Sequence, residues 1–484
     1  MVASHVLIAR EMLRTEACRR SVLSKESRGA PYRRVHFVGV AGSGMAGLAY
    51  VAHKSGLIVS GSDLRESSYV QALLREDVKV VFEHKEANVA DPAIELVVAS
   101  TAIPSTNPEI IAAHERGIPV WHRAQMLAWL GRDHQMLAVA GTHGKTTTSA
   151  MLATALVELG ADPSFLIGGV LNAYESSAHY TPEGFMVVEA DESDSSFVEL
   201  DPHVAIITNI EADHMDHFKS LEDIKGSFLA FLGKLDPAGV AVVCAESPGL
   251  IELARKSGKT LVSYGLGEAA DVRLDPASQE VCFADGERVP IALMKSPGLH
   301  NLLNATAVLA TLDWLGLDRR AAAAAVSTYE GAHRRFDFIG KANGVLVIDD
   351  YAHHPTEIDA TLGAAKDLDF TSVHLLFQPH RFTRTQAFLT EFATAFDHAT
   401  TITLMPIYTA GEAPIPGIDS NRMLKAIKQH KPEAQLRLIS ERKKLAQAMA
   451  DLAEPGSVII TMGAGDVTNL APEILAKLKN REQA

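Results

Sequence analysis

From Val35 onward one pattern recurs along the chain: a short uninterrupted apolar run, a turn rich in glycine or acid, then a longer stretch of helical periodicity. Runs of this kind lack the apolar–polar alternation of a sheet with one wet face. They read as strands covered on both sides, the mark of parallel strands joined by helices. VHFVGV, LIVSGSD, VKVVFEH and LVVAST form a first series over residues 35–122, with GMAGLAYVAHKSG as a helix between the first two. QMLAVAG, FMVVEAD, VAIITNI and VAVVCAE form a second series over 123–331. GVLVIDDYAHHP, VHLLFQPHR, TITLMPIY and SVIITMGAGD, with helical stretches such as NRMLKAIKQH, form a third over 332–484. A chain of 484 residues is too long for one core. The pattern predicts an α/β protein of three doubly wound domains, each around a largely parallel sheet.

The net charge of -14 leaves no excess of basic residues for a general nucleic-acid surface. No apolar run reaches the roughly 18 residues of a membrane span, and MVASHVLIAR is too short and interrupted for the apolar part of a signal peptide. Cys18, Cys244 and Cys282 are far apart without CxxC spacing, so neither a disulfide framework nor a zinc site is expected, and a cytoplasmic location fits. Residues 1–34 carry eight Lys/Arg and three Glu, a formal +5. Although AREMLRTEACRRSVLSKES has helical character, this segment reads as a disordered basic extension.

The strongest local signal is Gly141-Thr142-His143-Gly144-Lys145-Thr146-Thr147, after an apolar strand and at the start of a helix. Glycines there let backbone N–H groups approach phosphate, and the helix start favours negative charge. Lys145 supplies a mobile cation for the terminal phosphates, and the Thr146 hydroxyl is placed to bind Mg²⁺. The full phosphate-loop pattern has a glycine where Val139 stands, so this is a compact GxxGKT variant.

An acid beyond a following strand should complete the metal site. FMVVEADESD offers Glu189, Asp191, Glu192 and Asp194; VAIITNIEADHMDHF offers Glu211, Asp213, His214 and Asp216. On oxygen preference alone, Asp213 or Asp216 outranks His214 as a Mg²⁺ ligand. Upstream, Gly42-Ser43-Gly44-Met45-Ala46-Gly47 follows a strand, and Asp63 ends the next one. This is a dinucleotide-type fingerprint with its ribose acid. What it reports physically is a pyrophosphate at a helix start, and NAD, FAD and UDP-sugars all carry one.

These residues belong to an ordered series: GVAGSGMAG, GSD, VVASTAI, AGTHGKTTT, VVEADESDSSF, TNIEADHMDHF, GLHNLLNATA, RRFDFIG, DDYAHHPTEI and QPHRFTRT. The series resembles the Mur ligases over residues 35–484, most closely the branch that adds L-alanine to UDP-N-acetylmuramate in peptidoglycan precursor synthesis. The resemblance implies a UDP-sugar-binding Rossmann-like domain, a central P-loop ATPase and a Rossmann-like C-terminal domain that closes over the amino acid. It implies ATP as co-substrate with Mg²⁺ or Mn²⁺, and a monomer or weak homodimer. Thr146, Glu189 and His214 would hold the metals, with Lys145, Glu189 and His214 central to catalysis. Gly42, Ser43, Gly44, Met45, Asp63, Ser100 and Thr101 would bind the UDP-sugar. His300, Asn301 and Asn304 would lie at the adenine, Arg334 or Arg335 at the ATP phosphates and Asp350 near the ribose. Tyr351, His353, Arg381 and Arg384 would reach the muramoyl or alanine carboxylate, while His354 and His380 read as supporting residues. Relatives that add later residues use a carbamylated lysine; here Ser227 or Phe228 stands near that position. The competing readings are a ligase that attaches a whole tripeptide, an NAD-dependent oxidoreductase built on GSGMAG, and a non-catalytic nucleotide-binding protein.

Overall fold

A computed structural model describes residues 32–171, 174–213, 217–293 and 295–481. The N-terminal segment 1–31 and two of the acid-cluster candidates, His214 and Asp216, lie outside the described residues. The chain divides into two compact units, one of residues up to Ala292 with Leu303–Tyr329, the other of Leu293–Leu302 with Glu330 onward.

The first unit contains two sheets. The first has β1 (Arg34–Val38), β2 (Ile58–Ser62), β3 (Lys79–Val81), β4 (Leu96–Ala99) and β5 (Val120–His122). Their order is β3-β2-β1-β4-β5, all parallel. The chain enters at β1 and winds outward both ways, so the loop after β1 opens at the reversal of strand order, where such sheets bind ligands. Three helices matter to the site: α1 (Ser43–Lys54), α2 (Pro108–Glu115) and α3 (Arg123–Gly131). Val35, Phe37, Val38, Val97 and Val98 are fully buried, as uninterrupted apolar runs require.

The second sheet is built outward from β6 (Gln135–Ala140), which lies between β9 (Phe185–Glu189) and β10 (Val204–Ile207). Parallel pairing continues through β7 (Ser164–Leu171) on one side, and through β11 (Val240–Cys244), β12 (Thr260–Gly265) and β13 (Val272–Asp275) on the other. Antiparallel strands close both margins: β8 (Ser176–His179) beside β7, then β14 (Glu280–Phe283) and β15 (Arg288–Pro290) beyond β13. The helix after β6, α4 (Lys145–Glu158), is buried at every residue from Thr146 to Ala153. Its Thr, Ser and Ala side chains let neighbours approach from all sides, which is why it shows no polar stripe. The helices α5 (Leu299–Trp314) and α6 (Arg319–Ser327) follow, and α6 packs on α4.

The second unit holds a six-stranded sheet. It consists of β16 (Asp337–Ala342), β17 (Val345–Asp350), β18 (Val373–Phe377), β19 (Thr401–Leu404), β20 (Gln435–Leu438) and β21 (Val458–Met462). The order is β16-β17-β21-β18-β19-β20, parallel except for the β16–β17 hairpin. Successive residues feed opposite cores. Ile348, Leu375, Phe377 and Ile460 lie in one, and Val347, Leu376 and Ile459 in the other.

Three α/β layers with largely parallel sheets are as the apolar runs predict. The antiparallel margins of the second sheet were not legible, because β8, β14 and β15 are only three or four residues long and mix polar residues with apolar ones.

Candidate active site

The loop between β6 and α4 is shaped by two glycines in the left-handed region, Gly141 at φ +132° and Gly144 at φ +83°. A Cβ on Gly141 would lie 2.1 Å from Thr208 Oγ1, and one on Gly144 would lie 3.0 Å from Asn304 Oδ1. Both positions therefore demand glycine for conformation and for closeness of approach. The segment after β10 braces the loop. Thr142 N donates to Asn209 O (3.1 Å), His143 N to Asn209 Oδ1 (2.9 Å), and Thr208 Oγ1 to His143 O (2.5 Å). TNIE, which the sequence marks as an acid supply, thus serves also as the wall of the cradle. Glu211 Oε2 lies 3.6 Å from His143 Nε2. The N–H groups that open α4 have no intrahelical acceptor, so they and the helix dipole form an anion site.

At that helix start the Lys145 ammonium donates to Gly141 O (2.6 Å), Thr142 O (3.1 Å) and Glu192 Oε1 (2.8 Å). Its three donors are satisfied by two carbonyls of the loop and by an acid of the turn after β9. Burial acts to lower its pKa, but the Glu192, Asp191 and Glu189 carboxylates outweigh burial and raise it, so Lys145 stays charged. Next to it Thr146 Oγ1 donates to Glu189 Oε2 (2.9 Å), which also accepts from Gly168 N (2.7 Å). A hydroxyl and a carboxylate side by side are the hard oxygen donors that Mg²⁺ takes, and these residues fit that ion. Asp213 is buried beside Glu211, and its N–H donates to Glu211 O (3.1 Å).

The turn after β9 reaches in two directions. Glu189 and Glu192 serve the phosphate loop. Asp191 Oδ2 accepts from Arg123 Nη2 at 2.6 Å, and Asp194 Oδ2 accepts from Thr101 Oγ1 at 3.2 Å and lies 3.5 Å from His122 Nε2. In the first sheet Gly42 caps α1, which Ser43 begins, and Met45 is buried under it. Asp63 Oδ2 accepts from Ala41 N (2.9 Å), and its other oxygen accepts from Leu64 N (2.7 Å) and Arg65 N (3.2 Å). Ser67 Oγ donates to Ala41 O (2.7 Å). Asp63 therefore also fixes the shape of the glycine loop. Ser100 closes its own turn, its carbonyl accepting from Ile103 N (3.0 Å).

In the second unit Tyr351, His353, His380, Arg384 and Tyr408 gather at the C-terminal ends of β17 and β18. His353 and His380 rings are 5.5 Å apart, His380 stacks on Tyr408 at 5.8 Å, and Arg384 Nη1 donates to His380 Nδ1 (3.1 Å). Burial, reinforced by the Arg384 charge against the opposing Glu357, pushes His353 down to about 3, so it is a neutral imidazole. Arg381 is set apart by its φ of +68° and lies 4.0 Å from Glu412. Arg334 and Arg335 both stack on Tyr351, at 4.7 and 5.0 Å. They differ in their other partners. Arg334 donates to the Gly463 and Gly465 carbonyls, whereas Arg335 lies 3.9 Å from Glu357. The buried Asp350 accepts from Phe336 N and Ala352 N, both at 2.7 Å. Burial raises its carboxyl to about 6 against the pull of Arg335. Asn301 Nδ2 donates to Pro297 O (3.0 Å), and burial lowers His300 to about 4.

The residues with no role assigned by sequence are Arg123, Ser67, Asn209, Gly168, Glu357 and Tyr408. Asn209 and Glu357 lie inside quoted motifs but are not among the residues those motifs single out, and all six reach their neighbours only through the fold.

Known proteins are similar to this chain in sequence and in fold. The Mur ligase family catalytic domain matches residues 34–135, the Mur ligase middle domain 139–312 and the Mur ligase glutamate ligase domain 334–465. A UDP-N-acetylmuramate--L-alanine ligase of Geobacter sp. (strain M21) is 41% identical over 459 residues, covering 93% of this chain and 99% of that relative. One from Pelotomaculum thermopropionicum is 41% identical over 458 residues, with the same coverage. Among solved structures, UDP-N-acetylmuramate-alanine ligase MurC of Thermotoga maritima superposes with a TM-score of 0.77 at 28% identity, covering 93% of this chain and 99% of that one. A murein peptide ligase of Psychrobacter arcticus gives 0.68 at 26% identity, with the same coverage.

Proposed function

The chain belongs to the Mur ligase family, and from that premise we propose that it joins L-alanine to the carboxylate of UDP-N-acetylmuramate at the expense of ATP. The observation that carries this reading is the Thr146–Glu189 pair beside Lys145 at the start of α4. That arrangement serves phosphoryl transfer, and the relatives 41% identical over 93% of this chain are named for the alanine reaction.

A carboxylate is a poor electrophile toward an amine. Attack of one carboxylate oxygen on the γ-phosphorus forms the new P–O bond and expels ADP, leaving an acyl phosphate. The alanine amine then attacks the acyl carbon, loses a proton, and phosphate departs as the C–O bond breaks. Catalysis is mostly positioning and neutralisation of charge. Incoming phosphate competes with the Gly141 and Thr142 carbonyls and with Glu192 for the Lys145 ammonium. Thr146 and Glu189 would hold Mg²⁺, which would supply neutralising charge for phosphoryl transfer. We assign the GSGMAG loop to the UDP diphosphate, Asn304 to the nucleotide end of the ATP site, and Tyr351, His353 and Arg384 to the muramoyl or alanine end. Arg335 rather than Arg334 is our choice for the ATP phosphates, because Arg334 serves two carbonyls of its own sheet. Widely spaced cysteines, Cys244 and Cys282 among them unpaired, and the lack of a membrane-length apolar helix among the described residues support a cytoplasmic setting.

Phosphate release by purified protein tests this. ADP and phosphate should appear only with UDP-N-acetylmuramate, ATP, Mg²⁺ and L-alanine together, and Lys145→Ala should lower kcat by at least about 10²–10³. Turnover with a murein tripeptide and none with alanine would transfer the assignment to the tripeptide-adding ligases.

A further inference from the structure

Arg123 stands at the start of α3, directly after the last strand of the first sheet. Nothing in its sequence surroundings marks it. In the fold it bridges both halves of the first unit: its Nη2 donates to Asp191 Oδ2 at 2.6 Å, and its Nη1 lies 3.6 Å from where a Cβ on Gly44 would be. The guanidinium therefore hangs over the glycine loop at the start of α1, whose helix dipole already favours an anion. A guanidinium presents five donors in a rigid planar fork. One edge is held by Asp191, so the rest of the fork is pre-oriented and needs no rearrangement to meet a second anion. Arg123 is only partly exposed, with 27% of its side chain accessible, and the site is shielded enough for a charged hydrogen bond to count.

We propose that Arg123 is the side-chain counter-charge for the diphosphate of the nucleotide-sugar, and that Asp191, on the same turn as the phosphate-loop acids, is the positioning residue that aims it. The proposal rests on the reading of the GSGMAG loop as the nucleotide-sugar site. Its consequence is unusual for an acid turn beside an ATP loop. Glu189 and Glu192 act on the ATP side, while Asp191 between them is read out in affinity for the other nucleotide. The turn thus alternates its acids between the two sites, and the charge that orders the UDP end comes from the central sheet.

Arg123→Gln should raise KM for UDP-N-acetylmuramate by about 10–100-fold, the cost of a lost charged hydrogen bond, with KM for ATP and kcat changed by less than about threefold. Arg123→Lys should recover part of that loss, because it keeps the charge but not the fork. Asp191→Asn should raise the same KM by a smaller factor, and by more than it changes KM for ATP, which Asp191 touches only through its field on Lys145, whereas a merely structural role would disturb both alike. UDP itself, titrated into wild-type and variant protein by calorimetry, gives the same comparison without turnover. Wild-type protein that binds UDP but shows no alanine reaction would defeat the proposed function and spare this proposal. Unchanged UDP and UDP-N-acetylmuramate affinity in Arg123→Gln at wild-type melting temperature overturns it, as does an Asp191→Asn defect confined to ATP. If Arg123→Gln does not fold, unaltered UDP affinity in folded Arg123→Lys and Asp191→Asn overturns it equally.

Discussion

Glu109, on α2, has a fully buried side chain beneath the first sheet. Its carboxylate accepts from Ser62 Oγ (2.5 Å) and Asn88 Nδ2 (2.6 Å), and lies 3.1 Å from His84 Nδ1 and 3.3 Å from His36 Nε2. Burial alone would raise its pKa; the hydrogen bonds from His36, Ser62 and Asn88 outweigh burial and hold it at about 2. A carboxyl lowered from 4.5 to about 2 stabilises the fold fully above pH ~4.5, by about 3 kcal/mol, and this is lost as pH falls toward 2. Glu109→Gln should therefore lower the melting temperature at pH 7 and flatten its decline between pH 4.5 and 2. Thermal melts across that range check this; parallel curves for variant and wild type would refute it. No sequence pattern marks Glu109, because its partners come from β1, β2 and the loop after β3.

At the scale of the element, α1 shows how the last glycine of GSGMAG is used. The expected purpose of such a glycine is close packing of the helix on its own strand. Here a Cβ on Gly47 would lie 2.5 Å from Leu166 Cδ1 on β7 and 3.4 Å from Ala178 Cβ on β8, both strands of the second sheet. The hairpin margin of the central sheet thus packs on the helix that opens at the GSGMAG loop. Gly47→Ala should destabilise the protein by about 1–3 kcal/mol through overpacking. It should also raise KM for UDP-N-acetylmuramate by displacing the start of α1. Adding Leu166→Ala, which removes the methyl in the way, should restore much of the melting temperature, a non-additivity expected of residues in contact. Strict additivity in the double variant would contradict the packing.

For the whole molecule, the first strand begins at Arg34, and the earliest described contact is the Tyr32 ring, edge-on to Trp121 at 5.2 Å. The family match likewise begins at residue 34. A protein starting at Tyr32 should keep kcat and melting temperature close to those of the full chain, as parallel assays and melts would show; a large loss of either would make the basic segment part of the enzyme. The three largely parallel sheets were legible because a parallel strand, covered on both faces, announces itself as an unbroken apolar run. The phosphate loop was legible because glycine, lysine and threonine must be adjacent in sequence to wrap one phosphate chain.

What the sequence determined by itself is therefore local: the strand series, the two glycine loops at helix starts, Lys145, and the acid-rich segments after β9 and β10. In each, the residues that act together lie within one turn of chain. What only the tertiary structure decided is how those acids divide their work. Spacing treats Glu189, Asp191, Glu192 and Asp194 as one cluster. Folding sends Glu189 to Thr146, Glu192 to Lys145, Asp191 to Arg123 and Asp194 to Thr101. Those partners come from separate segments, and which acid meets which donor is set by strand order and helix packing, which no local pattern encodes.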